Sequence, residues 1–168
     1  EEVEFTAPLE KIEAGAFADC DLLTELDIPG TTGIQDYAFY NCDNLRRVAI
    51  YGGLAEGNVG KNIFKDCKSL EIVEFKNGSI EIGEGMFEDC TALKTLILPD
   101  SIFKIGRLAF ENCSSLESIT IPDSVVEVGD YAFYDCKSAT NAYIGHNVSV
   151  IGEYAFGNCS SLVDVEIK

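Results

Sequence analysis

The sequence predicts an α/β solenoid: a right-handed stack of coils, with a parallel sheet of short strands on one face and short helices on the other. Three observations predict it. Seven cysteines recur at intervals of 22, 25, 23, 23, 23 and 23 residues, and a fixed period in this range marks a chain built from one repeated unit. Each cysteine follows a phenylalanine by three residues, from Phe17/Cys20 through Phe39/Cys42, Phe64/Cys67, Phe87/Cys90, Phe110/Cys113 and Phe133/Cys136 to Phe156/Cys159. Within every repeat the apolar spacing also switches from helix-like to strand-like.

The helix-like part precedes the cysteine. Eight residues before it stands a branched aliphatic (Ile12, Ile34, Val59, Ile82, Ile105, Val128, Ile151), and four before it Ala16, Ala38, Ile63, Met86, Ala109, Ala132 or Ala155. With the phenylalanine, these offsets share one side of a short helix and point the cysteine inward. A glycine lies seven before the cysteine in the last five repeats (Gly60, Gly83, Gly106, Gly129, Gly152), a position read as easing entry into the helical turn.

The strand-like part follows. A leucine stands three after the cysteine in all repeats but the sixth, which has Ala139. Offsets six and eight carry Leu26/Ile28, Val48/Ile50, Val73/Phe75, Leu96/Leu98, Ile119/Ile121, Ala142/Ile144 and Val165/Ile167. That alternation of branched and aromatic side chains predicts a short strand. Pro29, Pro99 and Pro122 come next and end it, since proline cannot donate to a sheet ladder. One strand per repeat, each joined to the next by the same connection, makes the sheet parallel. At about 4.8 Å per strand the stack is roughly 35 Å long.

The pattern I-G-x-x-A-F-x-x-C-x-x-L-x-x-I-x-I-P, shown well by the runs from Lys104 to Pro122 and from Val150 to Ile167, resembles the BspA-like family of leucine-rich repeats. The resemblance covers residues 9–168. It implies a leucine-rich-repeat solenoid of secreted or cell-surface bacterial type, acting in adhesion or host-protein binding. It implies no catalytic or ligand residues, because the family shares none. One departure is that the cysteine precedes the strand here, where the common leucine-rich motif has an Asn or Cys after it.

Residues 1–168 are therefore expected to form a single solenoid domain of about seven repeats of about 23 residues. The chain reads as a fragment of a longer protein: Val3-Glu4-Phe5 looks like a strand without its preceding coil, Val165–Lys168 like a strand with nothing after it, and solenoids need polar caps. It contains no apolar run near 18 residues, so no membrane insertion is expected. Net charge is −17, from 12 basic and 29 acidic residues. A field of this sign repels phosphate backbones and anionic lipid, which argues against nucleic-acid partners.

Candidate chemical sites are few. Seven cysteines cannot all pair, no C-x-x-C or Cys/His cluster offers a zinc site, and a thiol needed for catalysis is needed once. They are expected to be a buried ladder of reduced thiols. The Asp or Asn before each cysteine (Asp19, Asn41, Asp66, Asp89, Asn112, Asp135, Asn158) is expected to cap backbone amides at the turn, because the dense glycine turns of calcium-binding β-rolls are missing. His146, the sole histidine, is expected in a surface turn. No metal, cofactor or enzymatic activity is expected.

Partner-binding candidates lie at offsets five and seven, which point out of the sheet and vary from repeat to repeat while the core barely changes. They are Arg47, Ile72, Glu74, Thr95, Ile97, Thr120 and Tyr143. The expectation is a monomeric, extracellular or cell-surface module for a protein or glycan ligand, host extracellular ligands included. The alternative is a passive spacer. Tyr37, Tyr40, Tyr131, Tyr134 and Tyr154 mark the opposite side and are read as covering one helix against the next. Two irregularities stand out: extra residues within Tyr51–Asn62, read as a looped-out bulge, and the thin apolar layer at Ala139 and Ala142.

Overall fold

The computed structural model describes residues 2–4, 9–30, 33–52, 59–78 and 81–168. Every strand among them runs parallel to its neighbour. The wide front strands are β1 (Glu2–Glu4), β2 (Glu25–Ile28), β3 (Arg47–Tyr51), β4 (Ile72–Asn77), β6 (Thr95–Ile97), β8 (Ser118–Ile121), β10 (Asn141–Ile144) and β12 (Asp164–Ile167). Interleaved with them are two-residue strands on a second face: β5 (Glu81–Ile82), β7 (Lys104–Ile105), β9 (Glu127–Val128) and β11 (Val150–Ile151). The front strands form a five-stranded sheet, β1-β2-β3-β4-β6, and a three-stranded sheet, β8-β10-β12. The narrow strands form their own ladder, β5-β7-β9-β11, which single bridges between Ile12, Ile34 and Val59 continue toward the N-terminus.

The expected helices are not formed; the described residues contain none. Tandem tight turns replace them, and hydrogen bonding explains why. In an α-helix every amide turns back to the carbonyl four residues earlier. Here alternate amides leave the coil: Gly15, Phe17 and Asp19 donate to the carbonyls of Asp36, Ala38 and Tyr40 at 3.0, 2.8 and 2.9 Å. Only the residues between them close local bonds, Ala16 to Glu13 and Ala18 to Gly15 at 3.2 and 3.1 Å. The pattern recurs coil after coil, so this wall is held by its neighbours rather than by itself.

Those turns need two residues of left-handed backbone per coil, five and one before the cysteine, with φ between 52° and 64°. At the nearer position all seven are Asp or Asn, the side chains that tolerate this region best. Backbone handedness therefore selects them, and their side chains add a bond between coils. Asn41 donates to Asp19 at 2.8 Å and Asn112 to Asp89 at 2.9 Å, and Asn158 donates to Asp135. At the farther position Tyr37, Leu108, Tyr131 and Tyr154 adopt the same backbone, which costs a branched or bulky residue about 1–2 kcal/mol.

The core is a set of side-chain ladders. Seven phenylalanine rings stack in one column with centroids 5.1–5.5 Å apart and planes within 11°. Beside them each thiol from Cys42 to Cys159 donates to the phenylalanine carbonyl of the preceding coil, at 3.2–3.4 Å. All seven cysteines are unbridged, five of them fully buried and the terminal Cys20 and Cys159 half-buried. Burial pushes the Cys90, Cys113 and Cys136 thiols well up from their ordinary value. A core position absent from the sequence reading lies eleven before the cysteine, where Ile102 and Val125 are buried and Val148 partly so.

The recurrent glycine does not ease a turn, because none of the five has positive φ. It lets consecutive coils approach on the narrow-sheet side. A Cβ on Gly106 would stand 2.7 Å from the Ile82 carbonyl oxygen, and one on Gly129 2.6 Å from the Arg107 nitrogen. Of the expected bulge, the described part is a shift of strand register between Ile50 and Tyr51, where Tyr51 pairs with Asn77; residues 53–58 lie outside the described residues.

Candidate partner-binding face

Strand pleat and register decide what the front face shows. Offsets six and eight point inward, so offsets five and seven point out. Register pairing places Glu25, Arg47, Ile72 and Thr95 in one row, and Asp27, Ala49, Glu74 and Ile97 in the next. On the three-stranded sheet the rows are Ser118, Asn141, Asp164 and Thr120, Tyr143, Glu166. The candidates thus fall into two groups. Arg47, Ile72, Glu74, Thr95 and Ile97 share one sheet, Thr120 and Tyr143 the other.

Three apolar candidates are exposed: Ile72 at 37%, Ile97 at 50% and Tyr143 at 42%. Ile72 and Ile97 are diagonal neighbours, since Ile72 is level with Thr95 and Ile97 with Glu74. Thr95 and Thr120 are exposed as well.

Arg47 and Glu74 are engaged within the chain. The Arg47 guanidinium donates to Asp27 at 2.7 Å and to Glu74 at 3.3 Å, and Lys76 reaches Glu74 at 3.1 Å. Asp27 and Glu74 flank Ala49 on the two neighbouring strands, so the guanidinium crosses above that alanine. Ala49 is accordingly fully buried, although its offset points out of the sheet. The Asp27 hydrogen bond holds Arg47 charged more firmly than usual, and the Lys76 and Arg47 contacts lower the Glu74 carboxyl. Exposed pairs of this kind contribute about 0–1 kcal/mol each.

The opposite face offers a groove of about 390 Å³ over the glycine row. Its three cations are all paired within it: Lys61 with Glu84 at 2.8 Å, Arg107 with Glu84 at 3.5 Å and Lys104 with Glu127 at 3.2 Å. His146 sits exposed in its turn and bonds Asp123 twice, through its amide and through Nδ1, each at 3.1 Å. The tyrosines on the turn wall do meet one another. Tyr131 stacks on Tyr154 at 5.3 Å, and Tyr37 meets Tyr40 edge-on at 5.7 Å.

Coils of about 23 residues, a parallel front sheet with varied outward residues and a uniform interior define a leucine-rich-repeat solenoid. More specifically, the chain belongs to the BspA type leucine rich repeat family, whose model matches in six copies over residues 1–90 and 57–168. Among solved structures it is similar to the T. pallidum leucine rich repeat protein, with 27% identity and a TM-score of 0.77 over 84% of this chain and 68% of that one. A leucine-rich repeat protein from Bacteroides ovatus is 30% identical with a TM-score of 0.85, over 92% of this chain and 39% of that one. One from Eubacterium ventriosum shares the fold at 20% identity and a TM-score of 0.80, over 94% of this chain and 44% of that one. The chain therefore spans less than half the length of the last two. No curated protein matches it.

Proposed function

We propose that this domain is a non-enzymatic binding module of an extracellular or cell-surface protein, and that it takes a protein or glycan partner on its front face as a monomer. The observation that carries this reading is the contrast between the two sides of each front strand. Inward residues are near-uniform aliphatics. Outward residues change from coil to coil and include the exposed Ile72, Ile97 and Tyr143. Membership of a repeat family without shared catalytic residues supports a binding role over catalysis.

The test is capture of extracellular-matrix proteins and glycans by the intact domain, compared with an Ile72→Lys, Ile97→Lys, Tyr143→Lys variant. At least a tenfold loss of capture is expected with the fold unchanged. A passive spacer is the second reading. It is favoured by the Asp27–Arg47–Glu74 bridge, which uses outward charges to tie coils together, and unaltered capture by the triple variant would support it.

A further inference from the structure

The front sheet is broken between the fourth and fifth coils. β6 ends the five-stranded sheet, β8 begins the three-stranded one, and the two do not pair. Elsewhere these coils stay in contact: β5 pairs with β7, Phe87 stacks on Phe110 at 5.4 Å, and the Cys113 thiol reaches the Phe87 carbonyl at 3.3 Å. The joint is closed at the turn wall and the narrow sheet and parted at the front.

Neighbouring joints show what is missing. The residue leading into the front strand is tied back to the preceding coil by Glu71 to Arg46 at 2.9 Å, Lys94 to Glu71 at 3.0 Å, Thr140 to Glu117 at 3.0 Å and Val163 to Thr140 at 2.9 Å. Among the described residues no such bond runs from Glu117 to Lys94. The inward Leu96 and Leu98 are only partly buried, whereas their equivalents Val73, Phe75, Ile119 and Ile121 are at most 3% exposed.

We propose that this seam accepts an extended basic peptide strand of a partner, inserted between β6 and β8. The inference rests on the front-face reading above and names the kind of partner that face takes. Both lips carry main-chain donors and acceptors without sheet partners, and open strand edges are templates for pairing. Only a group that alternates donors and acceptors along both of its edges satisfies two lips together, and an extended main chain does so. Leu96 and Leu98 offer an apolar floor to its alternate side chains. Its charge follows from the rims, where Asp100, Glu117 and Asp123 are exposed against one lysine, Lys94, which is turned to Glu71 at 3.7 Å. A cavity of about 190 Å³ lies at the C-terminal end of the lips, with Asp100 on the β6 side and Thr120, Asp123, Tyr143 and Lys168 on the other, and its two aspartates take the peptide's last side chain.

The probe is a fluorescein-labelled peptide Lys-Val-Thr-Val-Thr-Val-Lys, titrated into the intact domain by anisotropy, with amide hydrogen exchange followed in parallel. In the free domain the β8 amides exchange at least tenfold faster than those of β10. The peptide slows β8 at least tenfold, and N-methylating alternate peptide amides weakens binding at least tenfold. Strand insertion is overturned if β8 is already as protected as β10, if the peptide does not bind, or if N-methylation changes nothing. Should the domain still capture a matrix partner in an Ile97-dependent way, those results leave the face reading standing. If capture is also indifferent to the Ile72→Lys, Ile97→Lys, Tyr143→Lys variant, both readings fall.

Discussion

Replacing Phe87 with alanine should destabilise the domain more than the same change at Phe156. Phe87 is fully buried, stacked between Phe64 at 5.3 Å and Phe110 at 5.4 Å and met edge-on by Phe75 at 6.1 Å. Truncating a buried phenylalanine costs about 3–5 kcal/mol. Three aromatic contacts, each about 0.5–1.5 kcal/mol beyond area, place Phe87→Ala at the top of that range. Coil spacing is set by backbone bonds on the turn wall and the narrow sheet, so the hole cannot close by collapse. Phe156 is only partly buried and its one ring partner among the described residues is Phe133, at 5.5 Å. About half the cost is expected there. Equilibrium urea unfolding of the two variants reads the difference directly. Equal losses would refute the idea that stability grows by stacking on both sides.

Three further outcomes are expected. Ala139→Leu should raise stability by about 1 kcal/mol: β10 keeps full register with β8 and β12, so the backbone that holds leucine in the other coils is intact there, and consensus changes of this kind commonly stabilise. A loss on thermal melting would mean that a neighbour already fills the layer. Glu111→Gln should stabilise at pH 7 and not at pH 3. Burial, then the Glu88 and Asp89 charges, raise the Glu111 carboxyl above its ordinary value. The native state therefore prefers this group protonated, and its stability is full below the unfolded pKa and falls as pH rises through the folded one. A gain that persists at pH 3 would contradict this. Arg47→Ala should cost about 1 kcal/mol at low salt and less at high salt, because salt screens the bridge over Ala49 that the parent has and the variant lacks; urea titrations at low and high salt check it.

Apart from the position eleven before the cysteine, the interior was legible from residue spacing alone because every coil repeats it. The cysteine register, the strands, their ends at Pro29, Pro99 and Pro122 and the outward rows all follow from offsets. The helices were misread for a physical reason. Offsets of four, five and eight residues mark one side of a helix, but they equally mark the inner side of two tandem turns. What decides between them is where the Phe17 amide goes, and it goes to Ala38 in the next coil, a non-local bond that no local pattern carries. The narrow strands escaped because two residues are too few to show a period. Within the candidate face, the Arg47 bridge was within reach: Asp27 and Glu74 stand at offset seven on either side of Arg47 at offset five, opposite charges on adjacent strands. The seam after β6 was not, since the spacing between Cys90 and Cys113 is the regular 23 residues.

The central claim is that the cysteine register is an interior wall of the solenoid and not a reactive surface. Thiol labelling of the native domain tests it most directly. Only the half-buried Cys20 and Cys159 should react, slowly because burial raises both thiols, and all seven should react once the protein is unfolded. Rapid labelling of Cys90 or Cys113 in the folded domain would contradict the account.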